Sequence, residues 1–423
     1  MNMRIMPSAT GGEIRAIASK STAHRTLILA AFSKNESRIF CQELNEDIEA
    51  TIRCLTALGA EIKREGYYIC VRPIKALSVG ALLDCGESGS TMRFLVPVSV
   101  LLGADSLFLM SGRLPSRPLS PLREELQRCG VEFSAIGSNP LITKGRVAET
   151  EFSIRGDVSS QFISGLLLGL AVSGRSGRIN ILGELQSAPY VEMTADVIRH
   201  FGAEVVYKDG AYFLNARGGL CAPDEIAVEG DWSNAAFPLA LGAIGRNAVT
   251  VTGLDVSSRQ GDKRIVEILR SMGARVECGE DGITVYPSRL HGTEVDAGQI
   301  PDLVPVVAVL CAVAEGESLI YNAERLRIKE SDRLFSTSQT LTALGAQIEE
   351  RVDGLSIVGV DTLSGGTVSS FGDHRIAMSA AVASVRCEAQ VVIEGAEAVA
   401  KSYPTFFEDM AALGMMSEAA KAE

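Results

Sequence analysis

A chain of 423 residues, 46% hydrophobic and 22% charged, has the composition of a folded globular protein long enough for two or three domains with sizeable cores. A net charge of −12 excludes the basic excess that marks nucleic-acid binding, yet leaves room for small anions held by local clusters of cations. No apolar run is long enough to span a bilayer, no signal or transit segment opens the chain, and nine scattered cysteines lack Cys-x-x-Cys spacing; the expectation is a reducing cytoplasm, with no membrane, zinc site or disulfide framework.

After an N-terminal stretch, MRIMPSATGGEIRA, that can pair as a strand, the first predicted helix is ASKSTAHRTLILAAF, residues 18–32. Lys20 and Arg25 crowd its start among Ser19, Ser21 and His24, with no acid close in sequence. Free N–H groups and the macrodipole make that end positive, so cations are disfavoured there. At helical spacing Lys20 and His24, and Ser21 and Arg25, share one edge. CGESGSTMRFL (85–95) sets Ser88, Gly89, Ser90 and Thr91 at a helix start that carries Arg93. A Pro-rich loop, GRLPSRPLSPL (112–122), holds Arg113 and Arg117. GDVSSQFISGLLLGL (156–170) opens with Ser159, Ser160 and Gln161, and QSAPYVEMT (186–194) offers Ser187 and Tyr190. GDWSNAAF (230–237) is a further polar start, without a cation. AGQIPDLVPVVAVL (297–310) places Asp302 at the mouth of an apolar helix, which alone is ordinary helix-dipole chemistry. KESDRLF (329–335) and GDHRIAMSAAV (372–382) bring Lys329, Glu330, Arg333, His374 and Arg375, and AVAKSYPTFF (398–407) leaves Lys401 in a loop.

One phrase returns along the chain: a helix end, a glycine, an alternating strand, a turn and a second strand. Its glycines are Gly59, Gly130, Gly202, Gly273, Gly345 and Gly414, spaced by 71, 72, 71, 72 and 69 residues. Near-equal intervals kept over the whole chain imply duplication, in units too long for an ankyrin or tetratricopeptide solenoid. A break within AVEGDWSNAAF (227–237) gives one domain of residues 18–228 and another of 1–17 plus 229–423. Ser and Thr at a helix start are ordinarily N-caps, and a single Arg is ordinarily a solvated charge. Several starts, however, repeat the disfavoured cations in equivalent parts of the repeat. Hydroxyls, glycine and free N–H groups seat oxyanions, and Arg and Lys belong there only if an anion is expected. One anion-rich cleft is the expectation.

The phrases SKSTAHR, ESGSTMRF, RLPSRPL, VSSQF, SAPY, IPD, KESDR, GDHRIAM and AKSYPTFF occur here in that order. Together they resemble the 5-enolpyruvylshikimate-3-phosphate synthase family, from about residue 13 to 410. The resemblance implies a two-domain α/β enolpyruvyl transferase-like fold of six repeated β-α-β-α-β-β units, three per domain, with helix N-termini toward the interdomain cleft. It implies shikimate 3-phosphate and phosphoenolpyruvate as substrates, domain closure, a monomer, and no metal or organic cofactor. Carried over by position, Lys20, Ser21, Arg25, Ser159, Ser160, Gln161, Ser187, Asp302 and Lys329 would hold shikimate 3-phosphate, with Arg25 at its carboxylate and Lys329 and the hydroxyls at its phosphate. Lys20, Gly89, Arg117, Gln161, Arg333, Arg375 and Lys401 would hold phosphoenolpyruvate, with Arg93 supporting that pocket.

The implied chemistry adds a hydroxyl to C2 of phosphoenolpyruvate while a proton reaches C3, and then expels phosphate. That demands a base, an acid and cations. Asp302 is the expected base, and Lys20 and Glu330 are the candidates for exchange at C3. Three positions depart from common family patterns: Glu87 in Glu87-Ser88-Gly89-Ser90, where Asn-x-Gly-Thr is frequent; Arg325, four residues before Lys329, where Asn is common; and Phe94, where several members have Pro. The related UDP-N-acetylglucosamine enolpyruvyl transferases typically carry a reactive Cys near GRLPSRPL. No Cys lies in 103–128, and SKSTAHR is not their start motif.

Overall fold

The repeated glycines Gly59, Gly130, Gly202, Gly273, Gly345 and Gly414 all have φ between 88° and 115°. This is the left-handed region where a Cβ is costly, so each one turns the chain out of a helix and into a strand. The computed structural model describes residues 1–280 and 282–420. Among them, six four-stranded sheets share one pattern: a parallel edge pair followed by two antiparallel pairings. In one, Glu151–Arg155 runs parallel to Gly177–Leu182, which pairs antiparallel with Ala211–Asn215, itself paired with Glu204–Lys208. The N-terminal strand Asn2–Met6 completes a sheet with Val391–Glu394 and Met416–Ala420, and Gly12–Arg15 lies parallel to Val249–Thr252.

The chain divides into two units, Ala18–Val228 (the first unit) and Met1–Ile17 with Glu229–Glu423 (the second unit). The first contains α1 (Lys20–Ala31), α2 (Glu46–Leu58), α3 (Gly89–Leu102), α4 (Leu122–Arg128), α5 (Ser160–Val172) and α6 (Ala188–His200). The second contains α7 (Trp232–Ile244), α8 (Ile265–Ser271), α9 (Val304–Ala312), α10 (Arg333–Ala343), α11 (His374–Ala383) and α12 (Phe406–Ala412). Each unit encloses its own core: Leu27, Leu95, Phe108, Phe152, Phe162 and Leu166 in the first, and Trp232, Phe237, Leu310, Tyr403 and Phe406 in the second. Helices α7 and α9 are buried along their whole length, as helices apolar on every side must be. None of the described helices is long and apolar enough to cross a membrane.

Caps of the expected type start the helices that carry the site. Ser19, Ser88 and Ser159 cap α1, α3 and α5, while Asp332 and Asp373 cap α10 and α11. A close approach then aligns two of them. A Cβ on Gly165 of α5 would lie 2.4 Å from the carbonyl oxygen of Arg93 in α3, so only glycine lets these helices touch. That contact, one turn below Gln161, sets Gln161 beside Arg93.

Candidate active site

In the first unit the helix starts converge on two groups of cations. Gln161 joins them: its Oε1 accepts from Arg93 Nη1 at 2.8 Å, and its Nε2 donates to Ser90 Oγ at 2.9 Å. Arg93 also donates to the Pro118 carbonyl at 3.2 Å, which ties the Pro-rich loop to α3. Gly89 leaves the space that Arg117 occupies: a Cβ there would meet Arg117 Nη1 at 2.8 Å and Arg93 Nη1 at 3.2 Å. Two guanidiniums thus lie over one helix N-terminus, an arrangement that suits an anion with a planar carboxylate. Glu87 packs against Gly112, where a Cβ would collide with its carboxylate.

Arg25 is nearly fully buried, and its hydrogen-bond acceptors are all neutral. Nε donates to Thr194 Oγ1 at 2.6 Å, Nη1 to the Ser21 carbonyl at 2.5 Å, and Nη2 to the Tyr190 carbonyl at 3.0 Å. Its guanidinium also stands 4.9 Å above the Phe94 ring. Burial pulls its pKa down to about 10, with only Tyr190 pushing the other way. Such a group has donors and charge to give an incoming anion. Ser187 lies buried just ahead of α6, with a left-handed backbone at φ 53°, and Ser159 and Ser160 open α5 beside Gln161.

One sequence-based expectation for α1 needs correction. Lys20 does not stand among cations alone: Asp47, from the first turn of α2, pairs with its Nζ at 2.9 Å. His24, on the same edge one turn on, turns into the interior, its Nδ1 2.7 Å from Thr51 Oγ1. Burial lowers its pKa to about 3, Lys20 and Arg25 adding to the effect and Asp47 opposing it. It is a neutral imidazole at ordinary pH.

The second unit gathers Asp302, Lys329, Glu330, Arg333 and Arg375 into one network. Arg333 lies at its centre, almost wholly buried, with Nη1 2.6 Å from Asp302 Oδ1, Nη2 2.7 Å from Glu330 Oε2 and Nε 2.8 Å from Asp373 Oδ2. Burial disfavours its charge, but Asp373, Glu330 and Asp302 outweigh that and hold it above the ordinary arginine value. Asp302 also faces Lys329 Nζ at 3.6 Å and Arg375 Nη2 at 3.5 Å. Burial opposes its ionisation, yet Arg375, Lys329 and Arg333 keep its carboxyl well below the usual range. Burial lowers Lys329 to about 8, with Asp302 raising it and Arg333 lowering it. Lys401 is buried at the end of a 3-10 segment, Ala396–Lys401.

Sequence reading missed Asp47, Thr194 and Asp373. Asp47 is one of three acids in the first turn of α2, where acids are ordinary, and Thr194 is an unremarkable position inside α6. For Asp373 a signal existed: an acid directly before His-Arg at a helix start both caps α11 and reaches Arg333.

The family model for EPSP synthase (3-phosphoshikimate 1-carboxyvinyltransferase) matches residues 6–410. A 3-phosphoshikimate 1-carboxyvinyltransferase of Clostridium perfringens is 43% identical over 414 residues, spanning 97% of each chain. One from Clostridium novyi is 40% identical over 424 residues, spanning 98% of this chain and 97% of that one. Among solved structures, an EPSP synthase from Acinetobacter baumannii superposes with a TM-score of 0.81 at 25% identity, covering 99% of this chain and 100% of that one.

Proposed function

The chain belongs to the EPSP synthase (3-phosphoshikimate 1-carboxyvinyltransferase) family, and from that premise we propose how its residues share the reaction. It transfers the enolpyruvyl group of phosphoenolpyruvate to the 5-hydroxyl of shikimate 3-phosphate and releases phosphate, a step of the shikimate pathway to aromatic amino acids. Arg25 takes the carboxylate of shikimate 3-phosphate; Ser21, Ser159, Ser160, Ser187 and Lys329 take its phosphate, and Gln161 also holds this substrate. Gly89, Arg93, Arg117 and Gln161, together with Lys20, Arg333, Arg375 and Lys401, take phosphoenolpyruvate. The observation that carries this division is Arg25, a buried guanidinium whose acceptors are all neutral, beside helix starts rich in hydroxyls. Buried charge without a counter-charge is costly, and an anionic substrate supplies the missing partner.

Asp302 takes the proton of the 5-hydroxyl as that oxygen bonds to C2. In the ligand-free network it is too acidic to do this well, because a base works best with a pKa near the operating pH. Lys329 and Arg375 are two of the cations that hold it down, and both are assigned to substrate anions. As they turn to phosphate and carboxylate, Asp302 regains basicity. Glu330 or Lys20 delivers the C3 proton, and one of them removes a C3 proton again as phosphate leaves. Asp47 orients Lys20 for this, and the cations around phosphoenolpyruvate stabilise the departing phosphate.

We assign the enzyme to the cytoplasm as a monomer, a reading that its nine free thiols support on the side of compartment. The deciding assay measures phosphate released from phosphoenolpyruvate with shikimate 3-phosphate, with UDP-N-acetylglucosamine, and with no acceptor. Release with shikimate 3-phosphate alone is the expected result; release with the nucleotide sugar would move the chain to the sister activity.

A further inference from the structure

The segment Glu324–Ile328 is a 3-10 turn leading directly into Lys329. Its Arg325 reaches across to the loop ahead of Asp302, where Nη2 donates to the Gly298 carbonyl at 2.8 Å. The same loop is fastened from a second direction. Asp296 Oδ1 accepts from Gly298 N at 2.8 Å and from Asn322 Nδ2 at 3.0 Å. Gly298 sits so tightly in this latch that a Cβ would lie 2.5 Å from Asn322 Nδ2. From there the chain runs through Ile300 into the short turn Pro301–Leu303 that presents Asp302. One side chain therefore bridges the two segments that deliver Asp302 and Lys329, which face each other at 3.6 Å.

We propose that Arg325 is a positioning residue for the enolpyruvyl transfer: it pins the Ala297–Ile300 loop behind Asp302 and so fixes where Asp302 stands against Lys329, and its charge, four residues ahead of Lys329, is a lesser influence on the pH range over which Lys329 can hold the phosphate of shikimate 3-phosphate. The proposal rests on the role given above to Lys329. Burial is the main influence on the Lys329 ammonium. The charges acting on it are Asp302, Glu330, Arg333 and Arg325, with Arg375 of α11 meeting the same Asp302. Asp302 and Glu330 hold its proton on, while Arg333 and Arg325 push it off. Arg333 is bound to three carboxylates, so Arg325 is the cation whose charge can be changed with less disturbance to the network.

Since Lys329 loses its proton near pH 8, affinity for shikimate 3-phosphate should fall as pH rises through that value. Calorimetric titration of the full-length protein with shikimate 3-phosphate between pH 6.5 and 9.5 reads this limb without requiring turnover. In Arg325→Gln, loss of a repelling cation should move the limb upward by roughly a few tenths of a unit, since Arg325 is the weakest of the charges acting on Lys329. Loosening of the loop should lower kcat by roughly tenfold, an effect of positioning. Arg325→Lys, which keeps the charge, should leave the limb where it is in the wild type. A limb unmoved in Arg325→Gln overturns the electrostatic role, and an unchanged kcat in that variant overturns the pinning role. A wild-type protein that binds no shikimate 3-phosphate fails the functional reading instead, so the two failures are distinguishable.

Discussion

Two buried arginines, one in each unit, carry their charge in opposite ways. Arg25 is surrounded by a hydroxyl and two carbonyls, and burial draws its pKa down to about 10. Arg333 is gripped by Asp302, Glu330 and Asp373 and is held above its ordinary value. The first has a charge still to be matched from outside; the second has been matched several times over from within. Burial alone therefore does not mark a ligand-binding cation. What marks it is a buried charge whose bonds are all to neutral groups. By this measure Arg25 is the stronger candidate for direct contact with an anion, and Arg333 the stronger candidate for holding carboxylates in place. Its assigned contact with phosphoenolpyruvate would have to be made while those three bonds persist or exchange.

The largest effect should come from removing the carboxylate assigned as base. Asp302→Ala should lower kcat by about 10²–10⁴, the usual cost of losing a general base, while calorimetry still detects shikimate 3-phosphate binding. Turnover within about tenfold of wild type would sink the assignment. Next comes Arg333→Met, which leaves Asp302, Glu330 and Asp373 crowded together without their shared cation. Breaking a buried ionic network from one side costs about 3–5 kcal/mol. For a unit of this size that corresponds to a drop of roughly 10 °C in the melting midpoint. A midpoint within about 2 °C of wild type would show that the network carries little stability.

Arg25→Met should do the reverse. Removing a buried charge that has no internal counter-charge should leave the ligand-free midpoint unchanged or slightly higher, because an apolar side chain of similar length tolerates the site better and offsets the three hydrogen bonds lost. Affinity for shikimate 3-phosphate should nevertheless fall by about 10²–10³-fold, as expected when one partner of a desolvated charge pair is truncated. If both arginine variants melted early to the same extent, the contrast between a charge kept for a ligand and a charge kept for the scaffold would fail.

Much of this was readable in the chain because it is local. The six glycines mark helix ends because a left-handed residue is needed wherever a helix turns into a strand, and Ser19, Ser88 and Ser159 mark helix starts because they cap them. The cations at those starts stood out because the helix dipole disfavours them. The pairings were not readable, because each depends on a residue distant in sequence. Lys20 meets Asp47 from 27 residues away, Arg333 meets Asp373 from 40, and Arg25 meets Thr194 from 169. Lys20 therefore looked like one cation among several until α2 brought an acid to it. Asp302 likewise looked like a free carboxylate at a helix mouth, whereas three cations restrain it.

The finest test of the contrast concerns the residue next to Arg25 on the same helix. His24 is fully buried like Arg25, but it keeps no charge. Its Nδ1 meets Thr51 Oγ1, which lies 2.7 Å from Thr91 Oγ1, and Thr91 bonds to the α3 cap Ser88 at 2.8 Å. Its Nε2 has no hydrogen-bond partner, so a second proton on the ring would be buried without an acceptor. Hence a folded-state pKa of about 3 against an ordinary 6.5. The folded protein then binds fewer protons here than the unfolded chain between those two values, so stability from this site is fully present above about pH 6.5 and is lost as pH falls toward 3. The loss approaches about 1.4 kcal/mol per pH unit within that window. His24→Asn, which cannot titrate, should flatten that acid limb in urea unfolding measured from pH 7 to 4, even if the cavity it leaves lowers stability at every pH. Parallel limbs in the two proteins would mean that the histidine accepts its proton at little cost, and that burial on this helix does not discriminate between a charge awaiting a ligand and one that is excluded.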